Sequence, residues 1–227
     1  MTAQPGLNPD FRELKIDEQN QIIPEGIYLV DKPTGWSSFD VVARVRRLSG
    51  VKKVGHAGTL DPFATGLLII MVGKQYTKLS DHYLGHDKTY FAEVSLGENS
   101  TSFDPEGEIS QISLSKPSLA QIKQALAILS GDYLQVPPIY SAIKLQGKRA
   151  YQLAREGKQP EMKLRSVKVI SIDNLDYQYP FVRFKIEVSS GTYIRSIAND
   201  LGTILGTGAY LKSLRRLAIG SLRLSNQ

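Results

Sequence analysis

The chain has 227 residues, 41% of them hydrophobic, with 28 Lys and Arg against 22 Asp and Glu, so its net charge is +6. That content supports a sizeable core and excludes a globally disordered chain. No apolar run reaches the roughly 18 residues of a membrane span, the N-terminus lacks a signal-peptide pattern, and the absence of cysteine excludes disulfides and thiolate metal sites and fits the cytoplasm.

Residues 1–25 read as a polar, loosely ordered lead. GIYLVDKP, from Gly26, reads as a buried strand ending at Lys32-Pro33, and Gly35 marks the following turn. Ser37 and Asp40 have the spacing of a helix-capping pair, Val41, Val45 and Leu48 line one face, and Gly50 suits the C-terminal cap. Arg44, Arg46 and Arg47 then sit near the negative end of the helix dipole. GHAGTLDPFATG, Gly55 to Gly66, is a glycine-rich loop that runs into the apolar LLIIMV. A strand follows from Lys88 through Leu96. SKPSLAQIKQALAILSG predicts a helix with Leu119, Ile122, Leu126 and Leu129 on one stripe and Gly131 as its stop. Val167 to Leu175 reads as a strand, and Phe181 to Ser190 alternates apolar and polar residues. SSGTYIRSIANDLG turns from that strand into a helix reaching about Leu205, with Gly206 and Gly208 at its end. Scattered strands with interspersed helices predict a mixed or antiparallel sheet in an α+β fold.

Asp61 is the residue most suited to chemistry. It precedes Pro62, which disfavours helical backbone there, and Gly55, Gly58 and Gly66 allow close approach or positive φ. Such a loop can aim a carboxylate into a cleft as nucleophile or base, or the acid can cap its own turn. Arg195 lies where a strand gives way to a helix. It can fix an ionised carboxylate or form a surface ion pair of little worth. Tyr90, at a strand start, can stack on a flat substrate or pack in the sheet. Lys144, Lys148, Arg149, Arg155 and Lys158, interleaved with Tyr140 and Tyr151, suit a polyanion as well as a solvated helix face. Lys212, Arg215, Arg216 and Arg223 form a second basic cluster. Three histidines, His56, His82 and His86, give little support to a metal site.

GIYLVDKPTGWSS, GHAGTLDPFATGLL, KTY, VPPIYSAIKLQGKRAYQLAREG, SSGTYIRSIANDLG and SLRRL occur in that order. Together they resemble the TruB family of tRNA pseudouridine synthases over Gly26 to Leu217. The resemblance implies a pseudouridine synthase fold: a twisted mixed or antiparallel central sheet, flanking helices and an RNA-clasping insertion over about 136–160. It implies one catalytic domain over 26–217 and a short tail, 218–227. Only 11 residues follow Arg216, so the small C-terminal RNA-binding domain of many bacterial members is expected to be absent.

The implied reaction is isomerisation of uridine-55 in the tRNA T loop: base flipping, cleavage at N1 and re-attachment through C5. Asp61 matches the catalytic aspartate, Tyr90 the tyrosine that stacks on the target base, and Arg195 the arginine paired with the aspartate. Tyr193 and Leu214 match pocket-lining residues, and His56 matches a histidine that helps hold the T loop. Lys32, Lys144, Lys148 and Arg149 join them as expected substrate-binding residues. The implied enzyme is a monomer, uses no metal or organic cofactor, and takes the T-arm of tRNA as its partner. Whether Asp61 attacks C1′ or C6, or first removes the ribose C2′ proton, stays open. A guide-RNA-dependent subunit, a non-catalytic RNA-binding module and a nucleoside hydrolase are the competing readings.

Overall fold

The structure, a computed structural model, describes residues 10–17, 22–141, 143–145, 147–157 and 160–225. The chain divides into two units, Met1–His86 with Arg215–Gln227, and Asp87–Leu214. The first contains β1 (Phe11–Glu13), β2 (Gly26–Lys32), α1 (Ser38–Ser49), β3 (Val54–Ala57), β4 (Thr65–Val72), α2 (Lys74–Thr77) and α3 (Ser80–Leu84).

The LLIIMV run explains this unit. It forms most of β4, and all six side chains from Leu67 to Val72 are 0% exposed. Leu67, Ile69 and Met71 pack in one core with Ile27, Leu29 and Ala57. Leu68, Ile70 and Val72 pack in another with Val30, Val41 and Val45. A strand covered on both faces reads as a continuous apolar run, and each such side chain contributes about 1.5–3 kcal/mol of burial. β4 pairs antiparallel with β2, from Gly26 opposite Val72 to Lys32 opposite Gly66. It also pairs antiparallel with β3, from Val54 opposite Val72 to Ala57 opposite Ile69.

The predicted caps of α1 form: Ser37 and Asp40 make a capping box, and Gly50 closes the helix at φ 69°. Of the expected lead, residues 1–9 and 18–21 lie outside the described residues, and the described part is more structured than its polarity suggests. β1 pairs parallel with β2, and Leu14, Ile16 and Ile23 are buried in the α1 core.

The second unit begins with β5 (Lys88–Leu96), β6 (Glu98–Ser100), β7 (Ile109–Gln111), α4 (Leu119–Ile128) and β8 (Gly131–Gln135). It continues with β9 (Lys144–Leu145), β10 (Lys148–Arg149), α5 (Ala150–Arg155), β11 (Arg165–Gln178), β12 (Phe181–Val188) and α6 (Ile194–Leu205). β5, β12, β11 and β8 are neighbours in that order, each pair antiparallel. Val182, Phe184, Ile186 and Val188 are at most 1% exposed, as their alternation predicts. In α4 the buried stripe is Ile122, Ala125, Leu126 and Leu129, whereas Leu119 in the first turn is 45% exposed.

The last long strand, β13 (Ala209–Ile219), has residues in both units, and β14 (Leu222–Arg223) follows it. In the first unit Arg215 pairs with Thr65 and Arg216 with Gly66, parallel to β4. Ile219 and Leu224 join the first unit's core, and Ser225 hydrogen-bonds Glu13, so the described part of the expected tail, through Ser225, is packed. Each unit combines sheet with helices, and the first mixes parallel with antiparallel pairs, which is the α+β architecture expected. Among the described residues no helix is long and apolar enough to cross a membrane.

Of the three loop glycines, Gly58 and Gly66 have positive φ, and Gly55 does not. A Cβ on Gly66 would lie 2.3 Å from the Arg216 carbonyl oxygen and 2.8 Å from its nitrogen, whereas one on Gly55 meets only Thr77 Cγ2, at 3.5 Å. Gly66→Ala is therefore expected to lower stability by at least about 1–3 kcal/mol, and Gly55→Ala to change it by under about 1 kcal/mol. Urea denaturation of the two variants checks this, and equal midpoints would refute it.

Candidate functional site

The loop that carries Asp61 is held by its backbone from two sides. Asp61 starts a turn closed by Ala64 N–H on its carbonyl at 3.1 Å. The 32–38 segment grips the far side of that turn. Gly35 N–H donates to Pro62 O at 2.8 Å, and Thr34 Oγ1 donates to Phe63 O at 3.3 Å. Lys32 Nζ donates to Pro62 O at 3.2 Å, to Pro33 O at 2.9 Å and to Trp36 O. Ser38 Oγ accepts from Leu60 N at 2.9 Å and donates to Leu60 O at 3.2 Å.

Arg216 grips the near side. Its Nη2 donates to Gly58 O at 3.0 Å, Nη1 to Thr59 O at 3.4 Å and Nε to Leu67 O at 2.7 Å. Lys32 is 0% exposed and Arg216 is 1% exposed. A buried cation is costly unless its donors are satisfied, and carbonyl dipoles satisfy these. Each hydrogen bond from a charged group contributes about 1.5–3 kcal/mol. Asp61 itself is half-buried, between anchored residues. Lys32 thus anchors the loop from inside the fold, where the sequence suggested a substrate contact.

His56 lies on β3 opposite Ile70, and its ring meets Phe39 edge-on at 5.7 Å between centroids. Its Nδ1 is buried and has no hydrogen-bond partner among the described residues. Burial, and then the positive charge of Arg216, push its pKa below the usual 6.5, so the imidazole is neutral at pH 7.

In the second unit Tyr90 lies on β5 opposite Ile186 and is 7% exposed. Arg195 is the second residue of α6 and is also buried. Its Nη1 pairs with Asp104 Oδ2 at 2.8 Å and reaches Ser102 O at 3.3 Å, and its Nη2 donates to Tyr140 O at 2.7 Å. The other oxygen of Asp104 accepts from Ser102 Oγ and from Glu106 N, the latter at 3.0 Å. Asp104 was missed in the sequence, although it carries the Asp-Pro signature that singles out Asp61.

Tyr193 caps α6 without using its own side chain. Gln135 holds this residue: its Oε1 accepts from Tyr193 N at 2.8 Å and its Nε2 donates to Tyr193 O at 3.1 Å. Ser196 Oγ adds a bond to Val136 O at 2.7 Å. The first turn of α6 is thereby tied to residues 135, 136 and 140, at the start of the expected clasping insertion. Leu214 is 8% exposed.

The basic residues divide. Lys148 is exposed and pairs with Glu156 at 2.9 Å. Lys144 and Arg149 pair with each other through their backbones across β9 and β10; their side chains lie outside the described residues, as do those of Tyr151 and Arg155, and so does Lys158. In the C-terminal cluster Arg216 faces inward, and Arg215 makes a forked pair with Asp31 at 3.0 and 2.7 Å. Those two arginines therefore serve the fold where composition suggested a basic surface. His82 and His86 meet edge-on at 5.0 Å, and no group of three or more His, Cys, Asp or Glu suited to a metal occurs among the described residues.

Removing Asp104 takes a buried, hydrogen-bonded carboxylate away from the Arg195 guanidinium. Asp104→Ala is expected to cost about 3–5 kcal/mol in chemical denaturation. Lys148→Ala, at an exposed pair, is expected to cost no more than about 1 kcal/mol. Similar losses in the two variants would refute the buried pair as an anchor.

The family described as TruB family pseudouridylate synthase, N-terminal domain, matches residues 46–194. Over 203 residues the chain is 51% identical to tRNA pseudouridine synthase B of Protochlamydia amoebophila, covering 89% of this chain and 77% of that one. It is 46% identical over 202 residues to the enzyme of the same name from Chlamydia felis, covering 89% of this chain and 86% of that one. Among solved structures, a Cbf5-Nop10-Gar1 complex aligns with 99% of this chain and 57% of its own at 27% identity and a TM-score of 0.69. The chain spans about half the length of such solved chains. The chain belongs to the TruB family of pseudouridine synthases, enzymes that isomerise uridine of tRNA to pseudouridine.

Proposed function

We propose that the enzyme acts on uridine-55 in the T loop of tRNA, with Asp61 as the catalytic carboxylate. The observation that carries this reading is the loop: a half-buried acid whose neighbours are fixed by Lys32, Ser38 and Arg216. A uridine inside a folded loop is reached only by extrusion, which costs a few kcal/mol of lost stacking. Once the base is out, a carboxylate with a fixed backbone can act at the sugar or at the base without first being ordered. The motifs that Tyr90 and Arg195 match assign stacking on the base to the first and control of the carboxylate to the second. The proposed enzyme acts on the T-arm as a cytoplasmic monomer and uses no metal or organic cofactor.

Catalysis on bare tRNA is favoured over a guide-dependent reaction. Identity to enzymes named tRNA pseudouridine synthase B reaches 51%, against 27% to the Cbf5 complex. Purified protein is expected to modify an unmodified tRNA transcript at a single position, uridine-55. Modification only in the presence of an added guide RNA would favour the other reading.

Asp61→Asn is expected to retain tRNA binding and to abolish tritium release from tRNA labelled at uridine C5. Turnover near the wild-type rate would remove Asp61 from the chemistry. Arg195→Lys should also lose most activity, because an ammonium does not reproduce the guanidinium fork. An unchanged rate there would assign Arg195 to the fold alone.

A further inference from the structure

Gln135 is the last residue of β8 and is 1% exposed. A buried primary amide brings two donors and an acceptor oxygen out of water, and each is costly without a partner. Here all three are used within the second unit. Oε1 accepts from Tyr193 N, and Nε2 donates to Tyr193 O and to the Tyr133 hydroxyl. Burial and then the negative charge of Asp200 push the Tyr133 pKa upward, so that hydroxyl keeps its proton. The amide is held in one orientation. Turned over, it would set donor against donor at Tyr193 N and acceptor against acceptor at Tyr193 O.

This clamp acts on a single residue, 58 positions away in sequence. Tyr193 is the N-cap of α6, extended at φ −101° and ψ 111°. A residue has only two soft backbone dihedrals, and a planar amide that holds both its N–H and its C=O restrains both. The direction of the Tyr193 side chain is thereby set. Tyr193 O also accepts from Ile197 N at 3.2 Å, so the clamp continues into the first helical bond of α6. Arg195 lies in that turn, and residues 136 and 140 hold it through Ser196 Oγ and Arg195 Nη2, both at 2.7 Å. A Ser, Thr, Asp or Asn at an N-cap makes the capping bond itself. The Tyr193 side chain makes none, as suits a ring used in a site on a backbone gripped by another residue.

We propose that Gln135 is a positioning residue for the isomerisation: it grips the backbone of Tyr193 and so sets Tyr193 and Arg195 at the angle the reaction needs, without touching the uridine. This rests on the reading of Tyr193 and Arg195 as site residues. A displacement of about 1 Å in such a site costs on the order of 100-fold in rate.

The test is single-turnover tritium release from a tRNA transcript labelled at uridine C5, with enzyme in excess, for Gln135→Glu and Gln135→Met. Both replacements keep the length of the side chain, so neither opens a large cavity. At about pH 8 the new carboxylate only accepts, and it faces Tyr193 O. The maximal rate should fall about 10- to 100-fold, while the enzyme concentration at half-maximal rate changes by less than about twofold. The ionisable neighbours are Tyr133 on β8, Asp200 and Arg195 on α6, and Arg165 opposite Gln135 on β11; Arg195 is paired with Asp104 and Arg165 is exposed. Buried near Asp200, the new carboxyl takes up a proton as pH falls to about 5.5 and regains a donor for Tyr193 O. The rate of Gln135→Glu relative to the parent protein should then recover at least about threefold, whereas Gln135→Met stays slow throughout. With the parent protein active, an unreduced maximal rate in either variant would overturn the positioning role. So would a Gln135→Glu defect that does not change with pH, which assigns Gln135 to the fold alone. A parent protein that releases no tritium would remove the broader reading and the positioning role with it.

Discussion

Two buried cations, Lys32 and Arg216, determine the shape of the loop that carries Asp61. Both donate to main-chain carbonyls, so they fix the path of the backbone whatever side chains the loop displays. An apolar side chain could fill the same volume, but the carbonyls would then be buried without donors, which costs more than the packing returns. Charge is tolerated in the interior because several dipoles converge on it. The result is a carboxylate on a backbone ordered before any substrate arrives, the condition under which electrostatic catalysis is effective. Arg216 reaches further, since its charge helps keep His56 neutral.

The second unit uses the same device on a helix. The first turn of α6 is fixed by an amide, a hydroxyl and a guanidinium, through residues 135 and 136 and through Asp104. Gln135 holds the N-cap residue from outside the helix, accepting from Tyr193 N and donating to Tyr193 O, while the Tyr193 side chain makes no capping bond. The Arg195–Asp104 pair is dry, and the second carboxylate oxygen is satisfied separately by Ser102 and Glu106. Such a pair contributes little net stability but has one geometry.

Much of this could be read from local signals. The strand at Gly26, the capping box at Ser37 and Asp40, β5, β12 and α6 each follow from a pattern of a few residues, and the structure places them there. The misses share a cause. Arg216 and Lys32 look like surface cations in the sequence, because their partners are carbonyls with no side-chain signature. Thr59 lies 157 residues before the arginine that holds it. Leu119 fits the helical stripe of α4, yet it falls in the first turn, which extends past the buried contact. Gly55 resembles its neighbours Gly58 and Gly66 in a glycine-rich motif, but it sits in an ordinary strand. For the candidate site, the motifs suggested Asp61, Tyr90 and Arg195 through resemblance, whereas Asp104 required the fold to bring it to Arg195.

The position of Arg216 also has a consequence for vectorial synthesis. The guanidinium that holds Gly58 and Thr59 lies 158 and 157 residues downstream of them. At a ribosomal rate of about 5–20 residues per second, the nascent loop waits on the order of 10 s for its anchor to be made. During that interval β2, β3 and β4 can pair, but the acid between them is held from one side only. The loop that carries Asp61 therefore gains its second anchor only after 157 further residues have been made.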